Sequence, residues 1–363
     1  MVNFFYPKNN NLNVYNDDTL LYYLDKYNVA YTSDKNIPGY IVFELVSFLD
    51  IGDIPNNLSA SEIIDLQNGK HKLLLFFARE PIGYHMIFSQ IEALNNCGIS
   101  NQSIVVVTGN HGAATLSQYP SDLKAVTFFM FDMTTKDKYK GGNHFATDPS
   151  HVFLCYNSVM KLHRSLMFLL LPHDRGYISY LKRKYLDDIA IQSEVDMCKS
   201  IPAELATEAK HMVKTPGKTL ELTLDECIYD QFNDDFGLYH DTAFSIVTES
   251  LYCDLSLFLT EKTFKPILSM HPFVLLSSPG SHEFLESFGY RAYRELFDID
   301  KIDQETDIYK KSCMIKHLVE SFDINTYREA IDTIQHIAQH NRNMCLHNDY
   351  QGRLQQLLGK LKQ

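Results

Sequence analysis

Short, continuously apolar runs alternate along the first half of the chain with longer segments in which apolar residues recur at helical spacing. The runs that predict strands lie at 40–48, 72–79, 103–108 and 124–131. A helical pattern at 84–96 follows the second of them. Strands that are apolar on both faces and alternate with helices are typical of a parallel sheet covered by helices. We therefore predict an α/β, Rossmann-like first half.

The second half repeats this alternation. Its predicted strands and helices lie at 151–157, 158–171, 243–249, 261–270, 272–277 and 281–288, with a mostly helical charged section at 178–210 and helices from 306 onward. The polar, glycine-containing stretch 134–150 is the predicted linker. We expect an acceptor-side domain at 1–148 and a ligand-binding domain at 149–363, from which the last helix could return to pack on the first domain.

A chain of 363 residues is too long for one compact core, so its length predicts two domains. Its composition, with 45% apolar and 21% charged residues, is typical of a folded globular protein. The net charge of −12 repels a phosphate backbone, which disfavours general nucleic-acid binding. The seven cysteines include no C-x-x-C pair, as expected for reduced thiols. No apolar run reaches the roughly 18 residues that span a bilayer. The sequence therefore predicts a cytoplasmic protein without a membrane span.

The densest chemical signal is the start of the helix at 261–270. Thr260 is placed to be its N-cap, and Glu261 and Lys262 fall in its first turn. A carboxylate there suits a ribose diol, and an ammonium group beside a helix N-terminus suits a diphosphate. The plainer alternative is a helix cap followed by a solvated lysine.

The segment Thr260–Ile267, reading T-E-K-T-F-K-P-I, is followed by H-P-F at 271–273 and by a P-G-S loop at 279–281. This set of motifs resembles GT-B glycosyltransferases related to fucosyltransferases. It is still more similar to phage and bacterial glycosyltransferase candidates. The similarity extends upstream to 247–250 and 153–171 and downstream to His347-Asn348, so it covers roughly residues 150–350.

The resemblance implies a GT-B enzyme, in which two Rossmann-like domains face each other across a cleft. Glu261 would then bind the donor ribose, and Lys262 and Arg164 the diphosphate. Asn157 and Glu249 would line the same cleft, with Glu249 equally able to orient the two cations. Because fixed cations can stabilise the departing nucleoside diphosphate, we expect neither a metal ion nor a cofactor beyond a GDP- or UDP-sugar donor.

A base that deprotonates the acceptor hydroxyl should come from the first half, because related fucosyltransferases are thought to use a carboxylate there. Glu80, His111 and Asp132 each follow a predicted strand. Glu80 is the first choice, since it lies in a loop between a buried strand and a helix, and His111 is the second. Taken alone, each of these residues is more often an ordinary loop residue than a base.

Other motifs fail on inspection. Gly217-Lys218-Thr219 resembles the end of a P-loop but has Met212 where a glycine is required. Asp298-Ile299-Asp300 fits a D-x-D pattern but lies in a charged segment well past the donor motif. No histidine pair has partners at metal-ligand spacing. In the loop 279–282, Ser281 is the predicted N-cap, and the loop either closes over the donor or simply connects two elements.

The sequence therefore predicts an inverting, metal-independent glycosyltransferase that acts on a hydroxyl group, with a glycan as the expected acceptor. One alternative is a DNA-modifying glycosyltransferase acting on a hydroxylated base. The lysine-rich segment 136–142 favours DNA binding, whereas the net charge disfavours it. Another alternative is a non-catalytic module that binds a nucleotide sugar or a glycan.

Overall fold

The chain divides into two compact units in a computed structural model. The structure describes residues 1–7, 19–44, 54–78, 84–111, 117, 119–157, 161–179, 198, 200–212, 236–252 and 257–362. The first unit comprises Met1–Met130 and Asp349–Gln363, and the second comprises Phe131–Asn348. The chain therefore leaves the first unit at residue 130, earlier than the expected boundary at 148, and returns to it at residue 349.

The first unit contains a parallel sheet of six described strands. These are β1 (Val2–Phe5), β2 (Tyr31–Thr32), β3 (Tyr40–Glu44), β4 (Lys72–Phe77), β5 (Ile104–Thr108) and β6 (Lys124–Thr127). Their order across the sheet is β2-β1-β3-β4-β5-β6. The apolar runs that predicted strands occupy the centre, where Leu73–Leu75 and Ile104–Val107 are fully buried. A strand in the middle of a parallel sheet is covered on both faces, which explains why these runs do not alternate with polar residues.

Four described helices belong to the first unit: α1 (Leu20–Lys26), α2 (Ala60–Gln67), α3 (Tyr84–Asn96) and the last helix of the chain, which we call α14 (Tyr350–Lys362). Helix α2 begins at a capping box, in which Ser59 and Glu62 exchange hydrogen bonds. Helix α14 buries Tyr350, Leu354, Leu357, Leu358 and Leu361. Its end is attached to the sheet, because the Tyr40 hydroxyl donates to the Leu361 carbonyl over 2.5 Å.

The second unit contains a smaller parallel sheet. Its described strands are β7 (His151–Cys155), β8 (Gly176–Ile178), β9 (Thr242–Thr248) and β10 (Phe273–Leu276), in the order β10-β9-β7-β8. The described helices are α4 (Phe131–Lys138), α5 (Leu162–Leu170), α6 (Ala203–Met212), α7 (Phe236–Asp241), α8 (Glu261–Ser269), α9 (Ser281–Ser287), α10 (Ile299–Gln304), α11 (Ile308–Ser321), α12 (Ile324–Glu329) and α13 (Ile331–His347).

The predicted α/β class is confirmed, because both sheets are parallel and alternate with helices along the chain. This arrangement is consistent with two Rossmann-like units. In both sheets the first strand lies between the second and the third, so the direction of winding reverses at β1/β3 in one unit and at β7/β9 in the other. In open α/β sheets, ligands bind beyond the carboxyl ends of the strands at such a reversal.

The polar stretch 134–150 does not begin as a linker. Helix α4 occupies Phe131–Lys138, and its first five residues are buried. The strand predicted at 124–131 accordingly ends at Thr127. Within the described part of the chain, no helix is long and apolar enough to cross a membrane.

Candidate functional site

The reversal in the second sheet brings together the polar residues that follow β7 and β9. Asn157 lies just beyond β7, and Thr248 ends β9. The Thr248 hydroxyl donates to the Asn157 side-chain oxygen over 2.5 Å. The Asn157 amide donates to the Ser179 hydroxyl over 2.9 Å. Asn157, which was predicted to line a ligand site, is thus buried and connects the ends of three neighbouring strands.

Glu249 fixes the start of helix α8 beside this corner. Its fully buried carboxylate accepts hydrogen bonds from the Thr260 amide at 2.9 Å and from the hydroxyls of Thr260 and Thr263 at 2.6 Å each. Thr260 is the N-cap of α8, as predicted. Glu249 therefore orients the first turn of α8 through Thr260 and Thr263, a role that the sequence analysis did not predict.

Glu261 and Lys262 form an ion pair at the surface end of that turn. The Lys262 ammonium lies 2.5 Å from the Glu261 carboxylate and also donates to the hydroxyls of Ser250 at 3.1 Å and Thr260 at 3.4 Å. Burial alone would raise the pKa of the Glu261 carboxyl, but Lys262 and Lys265 hold it below its ordinary value. The Glu261 side chain keeps 12% of its surface exposed and the Lys262 side chain 23%, so a carboxylate and an ammonium group are both accessible.

Arg164 lies at the same corner but beneath its surface. Its guanidinium, in a residue only 2% exposed, donates to the carbonyls of Thr248 at 3.2 Å and Glu249 at 3.1 Å. The neighbouring His163 lies 2.7 Å from the Glu249 carbonyl through Nε2. Burial, together with Arg164 and Lys161, keeps the pKa of His163 well below its ordinary value, so its neutral ring donates that bond. Two side chains of α5 therefore hold the backbone where β9 ends.

Lys161 is a residue of this corner that the sequence analysis did not select. It occupies the N-cap position of α5, and its ammonium donates to the Ser250 carbonyl. It lies two residues before His163 of the His-Arg pair, and that proximity was the available signal. The structure thus brings together five of the six predicted donor-site residues around Ser250, with Asn157 at the adjoining strand end, and adds Lys161.

The loop after β10 is held by internal contacts. Gly280, with φ of 78°, is the N-cap of α9, so the prediction of Ser281 for this position is wrong. The Ser281 hydroxyl instead donates to the Ser278 carbonyl over 2.6 Å. The Asp303 carboxylate accepts a hydrogen bond from the His282 amide at 3.1 Å. The first turn of α9 is therefore capped by a side chain that lies 21 residues further along the chain. These contacts fit the connecting role that the sequence left open for the loop.

His271 of the H-P-F motif has a structural role. It is completely buried, and its Nε2 lies 2.8 Å from the Thr242 carbonyl, to which it can only donate. Its Nδ1 therefore accepts from the Ser245 hydroxyl at 2.8 Å. Burial lowers its pKa to about 4. A neutral histidine in this motif connects the segment before β10 to β9.

The expected bases have separate locations. Glu80 lies outside the described residues. His111 belongs to the first unit, and burial, assisted by Arg353, lowers its pKa to about 4. Asp132 belongs to the second unit, where it is buried in the first turn of α4 and accepts a hydrogen bond from Asn348 at 3.3 Å.

Among the described residues, no cluster of three or more histidine, cysteine or acidic side chains could hold a metal ion. The polar corner of the second unit instead presents a carboxylate, two part-buried ammonium groups and the start of a helix. Such a set can bind hydroxyl groups and phosphate oxygens. No protein-family model matches the chain, and no curated protein matches it at a significant level.

Proposed function

We propose that the second unit binds a nucleoside-diphosphate sugar and that the protein is a glycosyltransferase of the GT-B type. It would transfer the sugar to an acceptor hydroxyl with inversion and without a metal ion. The observation that carries this proposal is the position of Glu261 and Lys262. Both lie in the first turn of a helix that Glu249 holds at the reversal point of the second sheet.

In the proposed complex, the Glu261 carboxylate accepts hydrogen bonds from the two ribose hydroxyls. Its lowered pKa supports this role, because an ionised carboxylate offers only acceptors. The Lys262 ammonium would move partly away from the Glu261 carboxylate and donate hydrogen bonds to the diphosphate oxygens. The N-terminus of α8 adds partial positive charge on the same side.

The chemical step breaks the bond between the anomeric carbon and the diphosphate oxygen, and the bonding electrons leave with the nucleoside diphosphate. A fixed cation at that oxygen can lower the barrier by about 3 kcal/mol, as a single preorganised donor does elsewhere. The acceptor oxygen attacks the anomeric carbon while a base removes its proton. Glu80 and His111 are the residues that the sequence offers for this base. The lowered pKa of His111 leaves its ring neutral at pH 7, although it is then a weak base.

Binding is tested by thermal unfolding in the presence of GDP, UDP, ADP and dTDP. A ligand at 100 times its Kd adds about 2.7 kcal/mol to the folded state. We expect at least one of these nucleotides to stabilise the protein, and Glu261→Ala and Lys262→Met to remove most of that effect. Lys301→Met is the matched control, because Lys301 lies at an exposed position of α10 in the same unit. Equal stabilisation of all the variants would place the nucleotide elsewhere.

Turnover is tested by incubating the protein with the sugar conjugates of the nucleotide that binds. Slow release of nucleoside diphosphate, accelerated by a hydroxyl acceptor, supports a transferase. Tight binding of the donor without any release would contradict the proposed activity and favour a binding module. Retention on DNA that weakens with salt, together with transfer to hydroxymethylated DNA, would identify the acceptor as DNA and not a glycan.

A further inference from the structure

Two lysines from different helices meet at one residue of the second unit. The Lys262 ammonium donates to the Ser250 hydroxyl at 3.1 Å, and the Lys161 ammonium donates to the Ser250 carbonyl. Lys262 lies in the first turn of α8, and Lys161 is the N-cap of α5. Ser250 follows Glu249 immediately, so both ammonium groups lie next to the end of β9.

The charges at this corner favour an anion. Three cationic side chains, Lys161, Arg164 and Lys262, accompany two carboxylates, Glu249 and Glu261. Glu249 is committed to the first turn of α8 by three hydrogen bonds within the protein. Two ammonium groups that contact one residue repel each other, and an anion between them removes that repulsion.

The three cations are not equivalent. Arg164 is 2% exposed and bonds the carbonyls of Thr248 and Glu249. It would have to give up these buried acceptors to reach a ligand, which is costly. Lys161 and Lys262 are only partly buried, and their contacts with Ser250 can be exchanged for phosphate oxygens.

We propose that Lys161 and Lys262 form a two-lysine anion site on Ser250 that selects diphosphates over monophosphates. Arg164 is then a positioning residue that holds the backbone of β9 beneath this site. The inference rests on the proposed function, because it assigns the diphosphate of the donor to this corner. It changes the assignment of the second cation from Arg164 to Lys161.

The test compares dissociation constants for matched pairs of ligands, measured by isothermal titration calorimetry. The probes are the nucleoside diphosphate that stabilises the protein and its monophosphate, together with inorganic pyrophosphate and inorganic phosphate. We expect Lys161→Met to raise the dissociation constant of the diphosphate at least tenfold and that of the monophosphate less than threefold. Lys161→Arg should restore most of the preference, because it retains the charge, and Lys301→Met, at an exposed position of α10, should leave all constants unchanged.

Arg164→Lys provides the complementary measurement. We expect it to lower the Tm of the ligand-free protein while leaving the ratio of diphosphate to monophosphate affinity within twofold of the original. If Lys161→Met preserves that ratio and Arg164→Lys destroys it, Arg164 is the ligand and the inference is wrong.

Failure of the proposed function gives a different pattern. If no nucleotide binds but pyrophosphate does, and Lys161→Met abolishes that binding, the anion site stands and the nucleotide-sugar function is wrong. If the protein binds neither nucleotides nor pyrophosphate, both proposals are overturned. A folded Lys161→Arg variant, verified by its circular dichroism spectrum, separates loss of charge from loss of structure should Lys161→Met fail to fold.

Discussion

The Glu249 carboxylate accepts hydrogen bonds from both the amide and the hydroxyl of Thr260, at 2.9 and 2.6 Å. The acid that directly follows β9 is thereby fixed to the N-cap of α8, 11 residues further along the chain. Because Glu261 and Lys262 directly follow Thr260, their positions depend on this contact. A buried residue that touches no surface thus sets the geometry of the candidate site.

Replacing Glu249 with alanine should destabilise the second unit by about 3 kcal/mol. The substitution leaves the Thr260 amide and the hydroxyls of Thr260 and Thr263 without their buried acceptor. Urea unfolding, followed by circular dichroism, measures the change. Glu329→Ala is the control at an exposed position of α12 and should change the free energy of unfolding by less than about 0.5 kcal/mol. Equal effects of the two substitutions would show that Glu249 does not support α8.

Acid should destabilise the second unit through His271. Its pKa is about 4 in the folded protein against an ordinary 6.5, so the unfolded chain takes up a proton first as the pH falls. The stability that depends on the neutral ring is therefore complete above about pH 6.5 and is lost between pH 6.5 and 4. From pH 8 to pH 5, this one residue should account for a loss of about 2 kcal/mol.

Comparison with His271→Asn isolates that contribution. The variant should be less stable than the original protein at pH 8, and the difference between the two should shrink by about 2 kcal/mol at pH 5. Urea unfolding at several pH values gives both free energies. Gln335→Asn, which exchanges one neutral side chain for another at an exposed position of α13, should show a constant difference over this range. A constant difference for His271→Asn as well would mean that His271 has the same pKa in the folded and unfolded states, so that burial does not favour its neutral ring.

Gly176 and Gly359 should respond in opposite directions to substitution by alanine. A Cβ atom on Gly176, in the edge strand β8, would lie 2.3 Å from the Phe153 carbonyl oxygen. Relieving that overlap requires β8 to move away from β7, with an expected cost of about 1 to 3 kcal/mol. Gly359 lies inside α14 with no atom within 4 Å of its Cβ position, so alanine should stabilise the helix by about 0.5 to 1 kcal/mol. The Tm values of the two variants test both signs.

Much of the sheet architecture could be predicted because buried parallel strands leave a direct signature in the sequence. The run at 72–79 has no polar residue between Lys72 and Arg79 and forms β4. The run at 243–249 is interrupted only by Ser245 before it reaches Thr248, and it forms β9. The short strands β2 and β8 have only two and three residues, too few to show a pattern. The first five residues of α4 are buried together, so the helix lacks the one-sided spacing that predicts an amphipathic element.

The candidate site was harder to predict because sequence motifs do not reveal which side chains the fold covers. Thr260 was identified as an N-cap since its partner is local. Asp303 caps α9 from 21 residues away, which no local pattern could show. Arg164 and Lys161 are both cations near the same motif, and only the structure shows that the first is buried and the second is in part exposed.

The division of the chain into two units constrains the order in which they can fold during synthesis on the ribosome. Residues 1–130 emerge first, but their unit also requires 349–363. Until these residues leave the exit tunnel, the surface that later receives Tyr350, Leu354 and Leu357 stays uncovered. The 218 residues that intervene, 131 to 348, can fold in the meantime. The portion translated first is therefore completed last, and the nascent polypeptide must protect an unfinished apolar surface from aggregation throughout elongation.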